Sequence, residues 1–273
     1  MSDADILQSG TLPSTSRPTD TMPSGAGRNR AIVCLSGGMD STVCAALAAR
    51  DFDAYGLHFS YGQRTEAREF ESAQAVAAAV GLKDLLQVRT DFFRNIGGSA
   101  LTDHSIAVPS AANHAESTPM SARRGDDVPV TYVPFRNAHF LATAVSWAEV
   151  LGAQTVFIGA VEQDSSGYPD CRPAYYGAFN RLVHEGTKDG TIEIVTPLIH
   201  LHKREIVRLG VELGAPLHVS WSCYASDRAA CGVCESCVLR LRAFAEAGVP
   251  DPAPYASFEV EGRAQTFPEG EDQ

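Results

Sequence analysis

Short, continuous apolar runs recur along the chain, each followed by a glycine-containing or polar turn and a longer stretch whose apolar positions lie three and four apart. The first run, Ala31-Ile-Val-Cys-Leu35, passes through Ser36-Gly-Gly-Met-Asp40 into Ser41-Thr-Val-Cys-Ala-Ala-Leu-Ala-Ala-Arg50. Runs of this length suit strands buried on both faces, and the longer pattern suits helices packed against such a sheet. The same reading predicts strands over residues 54–59, 85–89, 155–159 and 193–197. It predicts helices over 64–80, closed by Gly81, then 138–151, 174–185 and 202–213, the last stopped by Gly214 and Pro216. In the helix over 138–151 the apolar positions Phe140, Leu141, Ala144, Val145, Ala148 and Leu151 mark a core-facing stripe. Strand and helix alternate, so the expected fold is α/β, a parallel sheet with helices on both faces and ligands beyond the carboxyl ends of the strands.

The turn after the first strand carries the clearest chemistry. Glycines let the backbone turn tightly and approach a ligand, and the unpaired N–H groups of the following helix converge on negative charge. Strand, glycine turn and helix N-terminus therefore predict a phosphate cradle at Ser36-Gly37-Gly38-Met39-Asp40-Ser41. The G-x-x-x-x-G-K-[ST] pattern is absent from the chain. The six residues instead resemble the SGGxDS PP-loop of the ATP pyrophosphatase superfamily, with its adenine nucleotide α-hydrolase-like fold. That resemblance implies cleavage of ATP between its α and β phosphates to adenylate a substrate.

Farther along, Cys223, Cys231, Cys234 and Cys237 follow a C-x7-C-x2-C-x2-C spacing with Gly232 inside the knuckle. Four thiolates suit tetrahedral zinc in a closed, structural site; an iron–sulfur cluster or unmetallated thiols are the alternatives left by spacing alone. Cys34 and Cys44 sit in apolar strand and helix contexts and read as core residues. Cys171, in a loop, reads as lining a site rather than as a nucleophile, since no histidine adjoins it in sequence.

Composition narrows the function. The 273 residues carry 44% hydrophobic content and a formal charge of −11, with three lysines against nineteen arginines. Enough apolar material is present for one principal core, and the acidic balance disfavours direct binding of nucleic acid. Residues 1–29, rich in Ser, Thr, Pro, Gly and Asp, are expected to form a disordered tail without a secretion signal. With no apolar run long enough to span a membrane, a cytoplasmic location is expected. The expected organisation is a nucleotide-binding domain over 30–215, a mobile insertion over about 97–128 flanking the site, a small helical zinc-binding region over 216–246, and a flexible tail over 247–273.

The joint pattern reaches beyond a superfamily. Leu35-Ser-Gly-Gly-Met-Asp-Ser-Thr42, Val133-Pro-Phe-Arg-Asn137, Ser166-Gly-Tyr-Pro-Asp-Cys-Arg-Pro173, Trp221-Ser-Cys-Tyr224 and Cys231-Gly-Val-Cys-Glu-Ser-Cys237 together resemble the 7-cyano-7-deazaguanine synthase (QueC) family over residues 30–246. The resemblance implies ATP-dependent conversion of 7-carboxy-7-deazaguanine and ammonia to the nitrile preQ0 in queuosine biosynthesis, with one bound Zn²⁺ and a homodimer. Leu35, Ser36, Gly37, Gly38, Met39, Asp40, Ser41 and Thr42 would hold ATP, with Ser36, Asp40, Ser41 and Arg136 catalytic. Asp40 either helps hold Mg²⁺ or serves the helix N-terminus. Arg136, Asn137, Tyr168, Asp170 and Arg172 would meet the deazapurine, and Cys223, Cys231, Cys234 and Cys237 the zinc.

Further expectations follow. Phe135 stands where the family commonly has a small residue, and its ring is expected to narrow the pocket or shift the next helix. Lys203, just before a helix, could assist phosphate, but the sequence alone favours a place in solvent. No residue is an obvious general base, and without a glutaminase motif the nitrogen source is free ammonia. The rival readings are a QueC-like enzyme for another acid, a tRNA-modifying PP-loop enzyme, and a zinc-knuckle binding protein with a relic nucleotide loop.

Overall fold

The first strand explains the architecture. In β1 (Arg30–Cys34) successive side chains alternate between faces, so Ile32 and Cys34 join one apolar layer while Ala31 and Val33, with the following Leu35, join the other. A strand apolar on both faces belongs in the middle of a covered sheet. A computed structural model describes residues 28–110, 128–162 and 167–256, together with two short paired strands at Glu259–Val260 and Arg263–Ala264. The expected tail over 1–29 falls almost wholly outside the described residues, as do residues 111–127 of the insertion.

Five parallel strands form the sheet: β1, β2 (Asp53–Ser60), β3 (Leu85–Arg89), β4 (Thr155–Ile158) and β5 (Glu193–Val195), in the order β3-β2-β1-β4-β5. The chain winds outward from β1 through β2 to β3, then returns to pair β4 against the other side of β1. That reversal opens a crevice at the carboxyl ends of β1 and β4.

Helix α1 (Met39–Asp51), α2 (Glu66–Val80), α6 (Lys203–Glu212) and α7 (Glu235–Ala247) contribute to one apolar layer, through Val43, Val76, Ile206 and Phe244 among others. The opposite layer is built by α3 (Phe92–Ile96), α4 (Arg136–Leu151) and α5 (Pro173–Gly186), with Phe93, Leu141, Ala144, Val145, Ala148 and Val183 buried against the sheet. The stripe predicted in α4 is thus the face it buries. Gly81 ends α2 in the left-handed conformation, where the absence of a Cβ removes the strain.

The described parts of two segments expected to be loose are anchored. Arg64 sends its guanidinium into the start of the insertion, donating to the carbonyls of Ala100, Asp103 and Ile106, and Ser99 to Thr102 are buried. Residues 250–256 are held by the ion pair of Asp251 with Arg240, both buried, and by backbone bonds from Ala230 to Pro254 and from Ala256 to Ala230. Proline-rich composition suggested a loose tail, but a buried guanidinium needs a counter-charge and fixes that stretch. Nor is the cysteine-rich region separate, since α7 puts Ala243 and Phe244 into the same layer as α1 and α6.

Candidate functional site

The site grows from the phosphate loop. Gly37 has φ +88°, and a Cβ there would lie 2.5 Å from the Glu69 carbonyl oxygen and 2.9 Å from the Ala73 nitrogen, so α2 leaves room only for glycine. Gly159, just after β4, is equally confined: a Cβ would lie 2.9 Å from the Asp40 carbonyl. These two approaches seat the first turn of α1 in the crevice between β1 and β4. Ser36 and Ser41 hydroxyls lie 3.0 Å apart, Ser41 Oγ donates to the Gly38 carbonyl, and the Gly38 N–H donates to Ser36 Oγ. The loop is pre-formed, with the helix's first N–H groups left for an anion.

Around it lies a cavity of about 280 Å³, near the lower end of small-molecule pockets. Leu35, Ser36, Gly38, Met39, Asp40 and Ser41 line it, whereas Gly37 and Thr42 do not. Thr42 was expected to contact nucleotide; its buried hydroxyl turns back to the Gly38 carbonyl at 2.9 Å, as a helical threonine's often does. Lys203, expected in solvent, reaches Asp40 Oδ2 at 2.5 Å across the crevice with its side chain only 14% exposed. Helix α6 starts at Lys203, and its place beside α1 brings the ammonium to the loop. Asp40 Oδ1 is buried without a hydrogen-bond partner, a carboxylate oxygen left for a cation or ligand.

The remaining walls come from distant segments. Arg136, half-buried at the start of α4, donates to the Tyr61 hydroxyl at 2.6 Å and lies over the rings of Tyr61 and Phe140. Burial works against its charge, but the phenolic oxygens of Tyr61, Tyr168 and Tyr224 and the Asp170 carboxylate outweigh that and hold it cationic. Burial pushes the Tyr61 phenol up to about 12 and the Tyr224 phenol well above its ordinary range, so both remain donors. Tyr168 lines the cavity and donates to Thr131 Oγ1 at 2.9 Å. Asn137 and Cys171 line it too, and desolvation raises the Cys171 thiol to about 12, which keeps it from acting as a thiolate.

Three other expectations change. Asp170 is buried but lies behind the cavity wall, accepting a bond from the Asn137 N–H at 3.3 Å while the Asn137 amide donates to its carbonyl. Arg172 is exposed and outside the cavity lining. A single 3₁₀ turn over Pro169–Cys171 separates the two, sending one inward and the other to solvent. Phe135 does not line the cavity either: it is 58% exposed with φ +56°, its ring edge-on to His139 and Tyr175.

Sequence reasoning found no sign of a site role for Tyr61, Gln63 and Glu69, and marked Trp221 and Tyr224 only as part of a family motif, yet all five line the cavity. One available signal was the stretch Tyr61-Gly-Gln63-Arg64, which leaves the carboxyl end of a central strand, where α/β sheets bind ligands.

The cysteine cluster abuts this wall. Sγ atoms of Cys223, Cys231, Cys234 and Cys237 all lie within 4.8 Å of one another. A tetrahedron with metal–sulfur distances of about 2.3 Å has edges of about 3.8 Å, so four donors this close suit a single ion. The N–H groups of Ala225 and Cys231 point at Cys223 Sγ, and that of Cys234 at Cys231 Sγ, which steadies thiolate charge. The cluster is tied to the loop by a bond from the Trp221 N–H to the Gly37 carbonyl at 2.8 Å.

Comparison with known proteins gives this geometry a family. The family model described as "Queuosine biosynthesis protein QueC" matches residues 30–248. The chain belongs to the QueC family. Among curated relatives in that family, 7-cyano-7-deazaguanine synthase of Acidobacterium capsulatum is 69% identical over 84% of this chain and 97% of its own length. The enzyme of the same name from Koribacter versatilis is 62% identical over 83% of this chain and 93% of its own. Among solved structures, an NH3-dependent NAD synthetase from Campylobacter jejuni is 14% identical, covering 71% of this chain and 68% of its own, at a TM-score of 0.40. That last likeness is too loose to speak to function.

Proposed function

We propose that this chain is an ATP-dependent carbon–nitrogen ligase that converts 7-carboxy-7-deazaguanine and ammonia to 7-cyano-7-deazaguanine (preQ0), for queuosine biosynthesis in the cytoplasm. One observation carries the reading: 69% identity to a relative of that name across nearly its whole length. The cavity agrees with it, joining a phosphate loop to an arginine and a phenol-lined wall.

A carboxylate resists nucleophiles, and making it a nitrile removes both its oxygens. In this reading the substrate carboxylate attacks the α-phosphate of ATP, releasing pyrophosphate and forming an acyl adenylate. Ammonia displaces AMP to give the amide. A second ATP activates the amide oxygen, and loss of AMP leaves the nitrile. Loop N–H groups and the Ser36 and Ser41 hydroxyls would cradle the departing pyrophosphate. Lys203 and Arg136 would offset charge on phosphate and carboxylate. Asp40, with its unpartnered Oδ1, would hold Mg²⁺. Asn137 and Tyr168 would meet the deazapurine.

Zn²⁺ fits the four thiols, where a closed set of protein ligands gives it a structural role. Because the knuckle supplies Trp221, Ser222 and Tyr224 to the cavity, metal would also shape the site. A homodimer is part of this reading.

The test is purified protein with Mg-ATP, ammonium and 7-carboxy-7-deazaguanine, with the deazapurine and adenine nucleotide products followed by mass spectrometry. Nitrile with AMP is expected. ATP binding without any deazapurine product would overturn the substrate assignment.

A further inference from the structure

At neutral pH free ammonia is mostly ammonium, which has no lone pair and must lose a proton before it attacks an acyl adenylate. Resting on the reading above, a group in the cavity that attracts this cation and takes its proton would supply the nucleophile where it is needed. Among the described residues, two carboxylates line the cavity, Asp40 and Glu69. Asp40 is engaged by the Lys203 ammonium at 2.5 Å.

Glu69 is held differently. Its Oε1 accepts from the Thr65 hydroxyl at 2.7 Å and its Oε2 from the Gln63 amide at 3.1 Å, both neutral donors. Gln63 is itself fixed, accepting from the Tyr61 N–H at 2.8 Å and donating to the Phe59 carbonyl at 3.1 Å. The backbone of Glu69 packs against Gly37 of the phosphate loop, so the carboxylate stands on the element that touches the site of adenylation. Of the other ionisable side chains on this wall, Arg136 is a cation whose field favours the ionised Glu69, and burial raises the phenols of Tyr61 and Tyr168; Glu66, outside the cavity lining, adds to the upward push on Glu69. Desolvation likewise lifts the Glu69 carboxyl above the usual carboxylate range, toward that of a usable base.

We propose that Glu69 is the catalytic residue that binds ammonium and accepts its proton. The N–H bond breaks with its electron pair left on nitrogen, and the proton passes to the carboxylate, giving ammonia and a neutral Glu69. Ammonia then forms the C–N bond at the acyl carbon, and the C–O bond to AMP breaks with its electrons on the phosphate. A second nitrogen proton leaves to water as the adduct collapses. The sum is acyl adenylate plus ammonium giving amide, AMP and two protons, with no oxidation or reduction.

Hydroxylamine tests this, because it is mostly neutral at pH 7 and attacks acyl adenylates without prior deprotonation. The full-length, metal-loaded wild type, Glu69→Gln and Glu69→Ala are compared in three reactions with 7-carboxy-7-deazaguanine: ATP–pyrophosphate exchange, hydroxamate formation from hydroxylamine, and amide plus nitrile formation from ammonium. Both variants are expected to keep exchange and hydroxamate formation within about threefold of wild type and to lose at least about a hundredfold with ammonium, in line with removal of a general base. Ammonium turnover within threefold of wild type overturns the proposal. So does parallel loss of hydroxamate and amide, or loss of exchange, either of which would give Glu69 a role in folding or adenylation. A wild type silent in all three reactions overturns the substrate reading first, and the proposal with it.

Discussion

The phosphate loop and the wall facing it are two halves of one cavity assembled in opposite ways. The loop is consecutive: Leu35 to Ser41 carry their function in backbone N–H groups and short hydroxyls, and their neighbours mainly have to stay out of the way, as Gly37 and Gly159 do. The wall is scattered: Tyr61 and Glu69 come from the carboxyl side of β2, Arg136 from α4, Tyr168 from the loop after β4, and Tyr224 from the cysteine knuckle. Local geometry suffices for an anion cradle, whereas a wall that discriminates between ligands needs side chains of several kinds converging from different elements. The two halves are then clasped together through the Trp221 to Gly37 bond.

Breaking the wall at its four cysteines should have the largest effect. Cys234→Ser is expected to purify without stoichiometric zinc, melt at a lower temperature and lose turnover, checked by metal analysis, calorimetry and the nitrile assay. A stable, zinc-loaded, active variant would separate the knuckle from the cavity.

Next in size is Arg240→Ala. It leaves Asp251 buried without its counter-charge and takes a donor from the Leu217 and Ser220 carbonyls, a loss of about 3–5 kcal/mol in urea unfolding. Gly37→Ala strikes the loop instead. A left-handed alanine facing the Glu69 carbonyl should cost about 1–3 kcal/mol of stability, and ATP binding should weaken by titration calorimetry while metal content holds. If Gly37→Ala also lost zinc, the clasp would be stiffer than a single hydrogen bond suggests.

Lys203→Ala should leave the fold intact and weaken nucleotide use on the order of tenfold to a hundredfold, the scale of one charged hydrogen bond. Steady-state kinetics in ATP would read it. The smallest effect belongs to Phe135→Gly, where relief of left-handed strain and the added freedom of the unfolded chain oppose each other. Stability should move by less than about 1 kcal/mol with nitrile formation unchanged. A large change in turnover would mean that the ring reaches the pocket after all.

Much of the fold could be read along the chain because its signals are periodic or local. The apolar run at β1, the stripe in α4 and the glycine ending α2 each depend on residues a few positions apart. Charged residues with distant partners were misread. Lys203 looks solvent-facing in its own helix and is half-buried because α6 lies beside α1; the tail at 250–256 looks loose and is held by a guanidinium eleven residues upstream of Asp251. Arg172 and Asp170 looked like a pair for the ligand, yet a short turn divides them between solvent and core. Glu69 drew no notice because it and Glu66 share the first turn of α2, where acidic residues usually read as favourable helix-dipole charge.

The sequence alone determined the phosphate loop, the alternation that makes a parallel sheet, the metal-ligand spacing and the family resemblance, because each is written in neighbouring residues or in a short repeat. Only the tertiary structure decided which side chains share the cavity, that Asp40 meets Lys203, that Glu69 faces the site, and that the cysteine knuckle forms part of its wall. Those facts depend on how helices and loops from distant parts of the chain dock on the sheet, and docking is set by the packing of whole layers rather than by the order of adjacent residues.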